Sequence, residues 1–148
     1  MESANEKVAL DIQKFGWQCL HVAPRIGEDG AFFTYSIGLT ESYKHPEILI
    51  FGLEKEKAHG ILTECVDMIK SGMRFPIDEP VADVLAREFC VVFKPIRKDC
   101  FDQYLGTAVR YYGHQNFDAY VLFWPDKENC FVWDSSRLSS QSEALDII

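Results

Sequence analysis

Between Phe32 and Leu53 two apolar runs, Phe32–Ile37 and Ile48–Phe51, flank a polar turn that holds Gly38, His45, Pro46 and Glu47. Short runs of β-branched and aromatic residues bounded by Gly and Pro are strand signals. The stretch therefore reads as two buried strands with a turn of chemically capable side chains between them. Any fold this chain adopts has to bury both runs and accommodate that turn.

The flanking sequence supplies helices to cover such strands. Residues 3–15 place Val8, Ile12 and Phe15 on one helical face, and Gly16 follows as a stop. Trp17–Ala23 alternates, with Trp17, Cys19 and His21 to one side and Leu20 and Val22 to the other. The turn chemistry of Pro24–Gly30 then predicts an antiparallel hairpin with Ala31–Ile37. Glu54–Ser71 carries the strongest helical stripe, from Ala58 through Ile61, Leu62, Cys65 and Met68 to Ile69, and Gly72 ends it. Residues 73–87 hold two prolines and no lasting period, so they read as a long connection with at most one helical turn.

Further on, Glu88–Ile96 reads as a strand stopped by Pro95, and Asp99–Tyr112 as a second core helix ended by Gly113. Phe117–Trp124 and Cys130–Trp133 read as a hairpin across P-D-K-E-N. The element order is α-β-β-β-α-β-α-β-β. That order predicts a single α+β domain over residues 1–134, a mainly antiparallel sheet packed by two or three helices. The Ser-rich tail, 135–148, is expected to be frayed or to form a short helix.

Charge and cysteine content restrict function more than fold. A formal charge of −8 argues against a nucleic-acid surface, which needs a basic patch. It suits a partner that is itself basic, because acidic surfaces steer cationic molecules. Five widely spaced cysteines read as free thiols in a reducing compartment. The start M-E-S-A-N-E-K has no apolar signal core, and no apolar run approaches the roughly 18 residues of a membrane span. A cytoplasmic location is the expectation.

Several short motifs recur in a recognisable order: Y-S-I-G-L (Tyr35–Leu39), H-P-E (His45–Glu47), F-G-L from Phe51, Y-L-G-T-A (Tyr104–Ala108), Y-Y-G (Tyr111–Gly113), W-P-D (Trp124–Asp126) and V-W-D (Val132–Asp134). Over about residues 15–134 the chain resembles a bacterial family catalogued as domain of unknown function 4262. Ser36 stands where that family more often has Thr, which keeps the hydroxyl. The resemblance implies a domain type and a cluster of positions; it implies no reaction.

The candidate ligand- or partner-binding residues are Tyr35, Ser36, His45 and Glu47 in the central stretch, with Tyr112, Trp124 and Asp126. An imidazole beside a carboxylate is the usual start of acid–base chemistry. The alternative is structural, with Gly38 serving a positive φ, Pro46 fixing the strand entry and His45 capping loop carbonyls. His45-x-Glu47 is half of a zinc-deaminase pattern without the P-C-x-x-C that completes it, so no metal is assigned. Cys19-x5-Arg25 with Trp124-Pro125-Asp126 superficially resembles a phosphatase, but the intervening L-H-V-A-P has no glycine to cradle phosphate. Trp124-Pro125-Asp126 reads instead as a strand end entering an Asx turn.

Two functions remain. The first is a non-catalytic acidic binding protein, most concretely an immunity-type inhibitor that neutralises a basic toxin through acidic loop residues Glu28, Asp29, Asp78, Glu79 and Asp83. It implies no cofactor, no nucleic acid and no membrane partner. The second is a small-ligand or flavin-type cofactor-binding domain, an enzyme in one form of it, with its site at the Tyr35–Glu47 loop.

Overall fold

In a computed structural model, residues 4–23, 32–86, 88–134 and 136–148 are described, with the side chains of 4, 5 and 136–139 set aside. Six strands form one sheet in the order β1-β2-β3-β6-β5-β4. They are β1 (Gln18–Val22), β2 (Phe33–Ile37), β3 (Glu47–Phe51), β4 (Pro80–Val81), β5 (Val91–Pro95) and β6 (Ala119–Phe123). Every pairing is antiparallel except β3 with β6, where Glu47 lies opposite Ala119 and Leu49 opposite Val121. The chain is thus a single α+β domain with a mostly antiparallel sheet.

Helices cover both faces of this sheet, which explains why every residue of β2 and of β3 is buried. A sheet dry on both sides needs continuous apolar strands rather than alternating ones. On one face, Val8 and Ile12 of α1 (Ala4–Phe15) meet Phe101 of α4 (Phe101–Tyr104), Ala108 of α5 (Gly106–Tyr112) and the sheet residues Tyr35, Leu49, Val121 and Phe123. On the other, Leu62, Cys65, Val66 and Ile69 of α3 (Lys55–Lys70) meet Ile48, Ile50, Phe93 and Leu122. Leu49 and Phe51 face one layer while Ile48 and Ile50 face the other, as strand pleating requires. The same alternation puts Trp17 and Cys19 against the α3 layer and Leu20 and Val22 against the α1 layer. The β1–β2 hairpin is antiparallel, with Leu20 opposite Tyr35, and its connection lies outside the described residues.

Four readings of local structure need correction. The turn after β2 contains a short helix, α2 (Leu39–Tyr43), bracketed by left-handed residues Gly38 (φ 112) and Lys44 (φ 57). The second core helix is broken at Leu105 (φ −117, ψ 32) into α4 and α5 and is preceded by a 3-10 turn, Lys98–Cys100. Apolar spacing continued through the break, and a glycine at 106 makes it cheap because Gly favours no helical backbone. Cys130–Trp133 is a turn and not a strand; the neighbours of β6 are β3 and β5. The 73–86 segment holds the two-residue strand β4 and a bridge from Ile77 to Phe93 in place of a helical turn.

The tail forms a 3-10 helix, Ser136–Asp146, and Ala144 and Ile147 are buried in the α1-side core. No helix among the described residues is long and apolar enough to cross a membrane. All five cysteines are free.

Candidate functional site

The polar residues of the central stretch converge on Glu47. Its carboxylate is fully buried at the first position of β3, next to the start of α2. Oε1 accepts from Ser36 Oγ at 2.9 Å and from the Leu39 N–H at 3.2 Å. Oε2 accepts from the Thr40 N–H at 3.0 Å and from Tyr112 Oη at 2.6 Å. Two of these donors are helix-start amides, which have no partner within a helix and are ordinarily capped by an acidic or hydroxyl side chain. Gly38 N–H donates to Tyr112 Oη at 3.1 Å, and Ile48 N–H donates to Ser36 Oγ at 2.9 Å. A carboxylate with this many donors is satisfied, so its burial is tolerated.

Burial pushes the Glu47 carboxyl above its ordinary range, countered by the hydrogen bonds from Tyr112, Thr40 and Ser36. The Tyr112 phenol is raised by burial and then by the Glu47 charge beside it. Tyr35 is also raised by burial, with Thr107 and Ala108 at the start of α5 opposing the shift. All three groups keep their protons or partners inside the fold.

His45 is equally buried but belongs to a different neighbourhood. Its ring meets Phe75 and Tyr120 edge-on, at centroid distances of 5.5 and 6.1 Å. Nδ1 lies 2.8 Å from Pro46 O, which only accepts, so Nδ1 carries the hydrogen. Nε2 then accepts the Phe75 N–H at 3.4 Å. Both ring nitrogens are used by a neutral imidazole, and burial lowers the pKa accordingly. His45 and Glu47, two residues apart in sequence, thus have separate sets of partners and do not form an acid–base pair.

The remaining candidates are spread over the fold. Trp124 donates from Nε1 to Phe51 O at 2.8 Å, and its own backbone exchanges two hydrogen bonds with the amide of Gln141 at 3.1 and 2.9 Å. Asp126 Oδ1 accepts the N–H groups of Glu128 and Cys130 at 2.9 and 3.0 Å, which is the Asx turn expected of Trp-Pro-Asp. Asp78, Glu79 and Asp83 are exposed, and Asp78 pairs with Lys94 at 2.6 Å. Glu28 and Asp29 lie outside the described residues. Among the described residues no group of three His, Cys, Asp or Glu is placed to hold a metal ion.

Gln141 escaped the sequence reading because it sits in a Ser-rich tail, and only its near-complete burial reveals it. Thr40 offers a hydroxyl to this turn in the sequence, but it reaches Glu47 through its backbone N–H, which has no sequence signature. Two surface grooves were also invisible. Leu53, Glu56, Ile61 and Glu64 line one side of a hollow of about 330 Å³ whose other side is Val84, Leu85 and Trp124. An adjoining hollow of about 450 Å³ shares Leu85, Ala86, Trp124 and Pro125 and extends to Phe89 and Asp126.

The motifs that meet around Glu47 are those on which the family resemblance rests: Y-S-I-G-L supplies Ser36, Gly38 and Leu39, H-P-E supplies Glu47, and Y-Y-G supplies Tyr112. No curated protein and no solved structure matches the chain. The family model described as "Domain of unknown function (DUF4262)" matches residues 11–137, and the chain belongs to that family.

Proposed function

We propose that this protein is a binding protein that docks on a basic protein partner, with immunity-type neutralisation of a toxin as the most concrete form. The observation that carries the reading is the double hollow across Trp124 and Pro125, with an apolar floor and a charged rim, on a chain whose formal charge is −8. Leu53, Ile61, Val84, Leu85 and Phe89 supply the floor; the exposed Glu56 and Glu64 stand at the rim with Lys57 and Lys127. The exposed carboxylates Glu79 and Asp83 sit on the segment that leads into this groove. An apolar centre within a charged rim is the usual layout of a protein interface, and rim charge of one sign accelerates encounter with the opposite sign.

A ligand site at the Tyr35–Glu47 loop has less support, because Tyr35, Ser36, His45 and Glu47 are each no more than 1% exposed. Their polar atoms are committed to one another and to the backbone.

The test is co-expression with a basic toxin encoded beside this gene, followed by binding at low and high salt. The reading expects restored growth and a complex that weakens as salt rises. It also expects the exposed variant Glu64→Lys to weaken both without lowering the melting temperature appreciably. Absence of any complex at low ionic strength overturns the reading.

A further inference from the structure

A third groove, of about 460 Å³, opens beside the start of β1 and uses a different stripe of α3, that of Lys55 and His59. Asp11, Phe15, Trp17, Gln18, Cys19 and Thr63 complete its lining. Its wall is aromatic: the Trp17 indole stacks on the His59 ring with centroids 6.0 Å apart and planes 14° from parallel. Phe15 is 58% exposed, so its ring contributes apolar surface that the core does not use. Such walls favour a flat ring in offset stacking.

The polar groups of the groove are specific about what that ring must carry. Gln18 Nε2 donates to Asp11 Oδ2 at 2.8 Å, and an ionised carboxylate only accepts, so the amide cannot be turned over. Gln18 Oε1 is consequently a buried acceptor with no hydrogen-bond partner. Buried acceptors of this kind are rare because leaving them unmet costs folding free energy, and a ligand donor recovers it. Lys55 is exposed, opens α3 and joins none of the ion pairs among the described residues. The helix start reinforces its positive field. Cys19, also on the wall, is pushed up to about 11 by burial, so it stays a thiol and supplies no nucleophile.

We propose that this groove binds a small planar aromatic anion bearing an N–H donor. The ring lies against Trp17 and Phe15, the N–H meets Gln18 Oε1 and the anionic group meets Lys55. No bond is made or broken.

Indole-3-acetate is the probe, titrated into the isotope-labelled full chain and followed by amide chemical shifts. Two analogues run beside it: 1-methylindole-3-acetate, which lacks the N–H, and tryptamine, which replaces the anion by a cation. The expected result is saturable shifts confined to the segments 11–19 and 55–63. Each analogue, and the exposed variant Lys55→Gln, binds about tenfold more weakly or worse, the size of one lost hydrogen bond or ion pair. Unsaturable shifts, shifts centred elsewhere, or equal binding of all three compounds overturn the proposal. Lys55 lines no part of the docking groove, so that outcome leaves the partner-binding reading untouched.

Discussion

Tyr112 Oη lies 2.6 Å from Glu47 Oε2, joining the end of α5 to the start of β3 across 65 residues of sequence. The same phenol oxygen accepts the Gly38 N–H, so one side chain closes both sides of the α2 turn. This contact makes Glu47 a keystone of the fold: the hydrogen bonds it receives tie β2, the start of α2 and the end of α5 to the first residue of β3.

Glu47→Ala leaves Ser36, Leu39, Thr40 and Tyr112 without their acceptor. The expected loss is about 2–4 kcal/mol, since several buried neutral donors lose their acceptor at once. Tyr112→Phe keeps the ring against Phe117 and removes one donor, so it costs about 1–2 kcal/mol. Urea denaturation of both variants and of the double mutant measures the coupling. A sum of the two single effects in the double mutant would show that the pair acts independently.

Gly38→Ala and Gly72→Ala separate strain from crowding. Both positions have positive φ, 112 and 107, but a Cβ at 38 would sit 2.9 Å from Gly16 O while one at 72 meets nothing within 4 Å. Gly72→Ala should cost about 1–2 kcal/mol from backbone strain alone. Gly38→Ala should cost clearly more, because Trp17 Cα at 3.0 Å also has to move. Equal melting temperatures for the two variants would refute the crowding argument.

The buried His45 predicts an acid limb in stability. Its folded pKa is depressed, so the unfolded chain takes the proton first. Stability from this residue is therefore present above about 6.5, the ordinary histidine value, and is lost as pH falls toward the folded one. Glu47, raised by burial, acts in the opposite sense: its contribution is present below about 4.3 and declines as pH rises through the folded value. Unfolding free energies of the wild type and His45→Gln between pH 5 and 8 isolate the first effect. A variant with the same slope as the wild type would exclude His45 as its source.

Gln141→Ala removes both bonds to the Trp124 backbone and leaves a buried N–H and C=O to find water. A loss of about 1–3 kcal/mol is expected, with a red-shifted tryptophan emission as the tail loosens. An unchanged emission and stability would mean the tail contributes little to holding Trp124.

The long apolar stripe of α3, the two buried strands around the α2 turn and the facing of Trp17 and Cys19 against Leu20 and Val22 were all readable from residue order. Each depends on a period of 3.6 or 2 in side-chain direction, and such periods are imposed by the backbone itself. The break at Leu105 was not readable, because Phe101, Tyr104 and Ala108 keep helical spacing across it. Nor was the α2 helix, whose five residues are too few to show a period.

The sequence by itself determined most of the apolar core, though Phe15, on the same helical face as Val8 and Ile12, is exposed, and it marked Ser36, His45, Glu47 and Tyr112 as the polar positions of interest. Only the tertiary structure decided what they do. The parallel pairing of β3 with β6 brings together segments some 70 residues apart, and their residue order does not specify which strand lies beside which. That pairing, and the packing of α5 behind it, set Tyr112 against Glu47 and leave His45 to Phe75 and Tyr120. A carboxylate is catalytic or structural according to its solvation and its partners, and both are properties of the folded surface rather than of the chain.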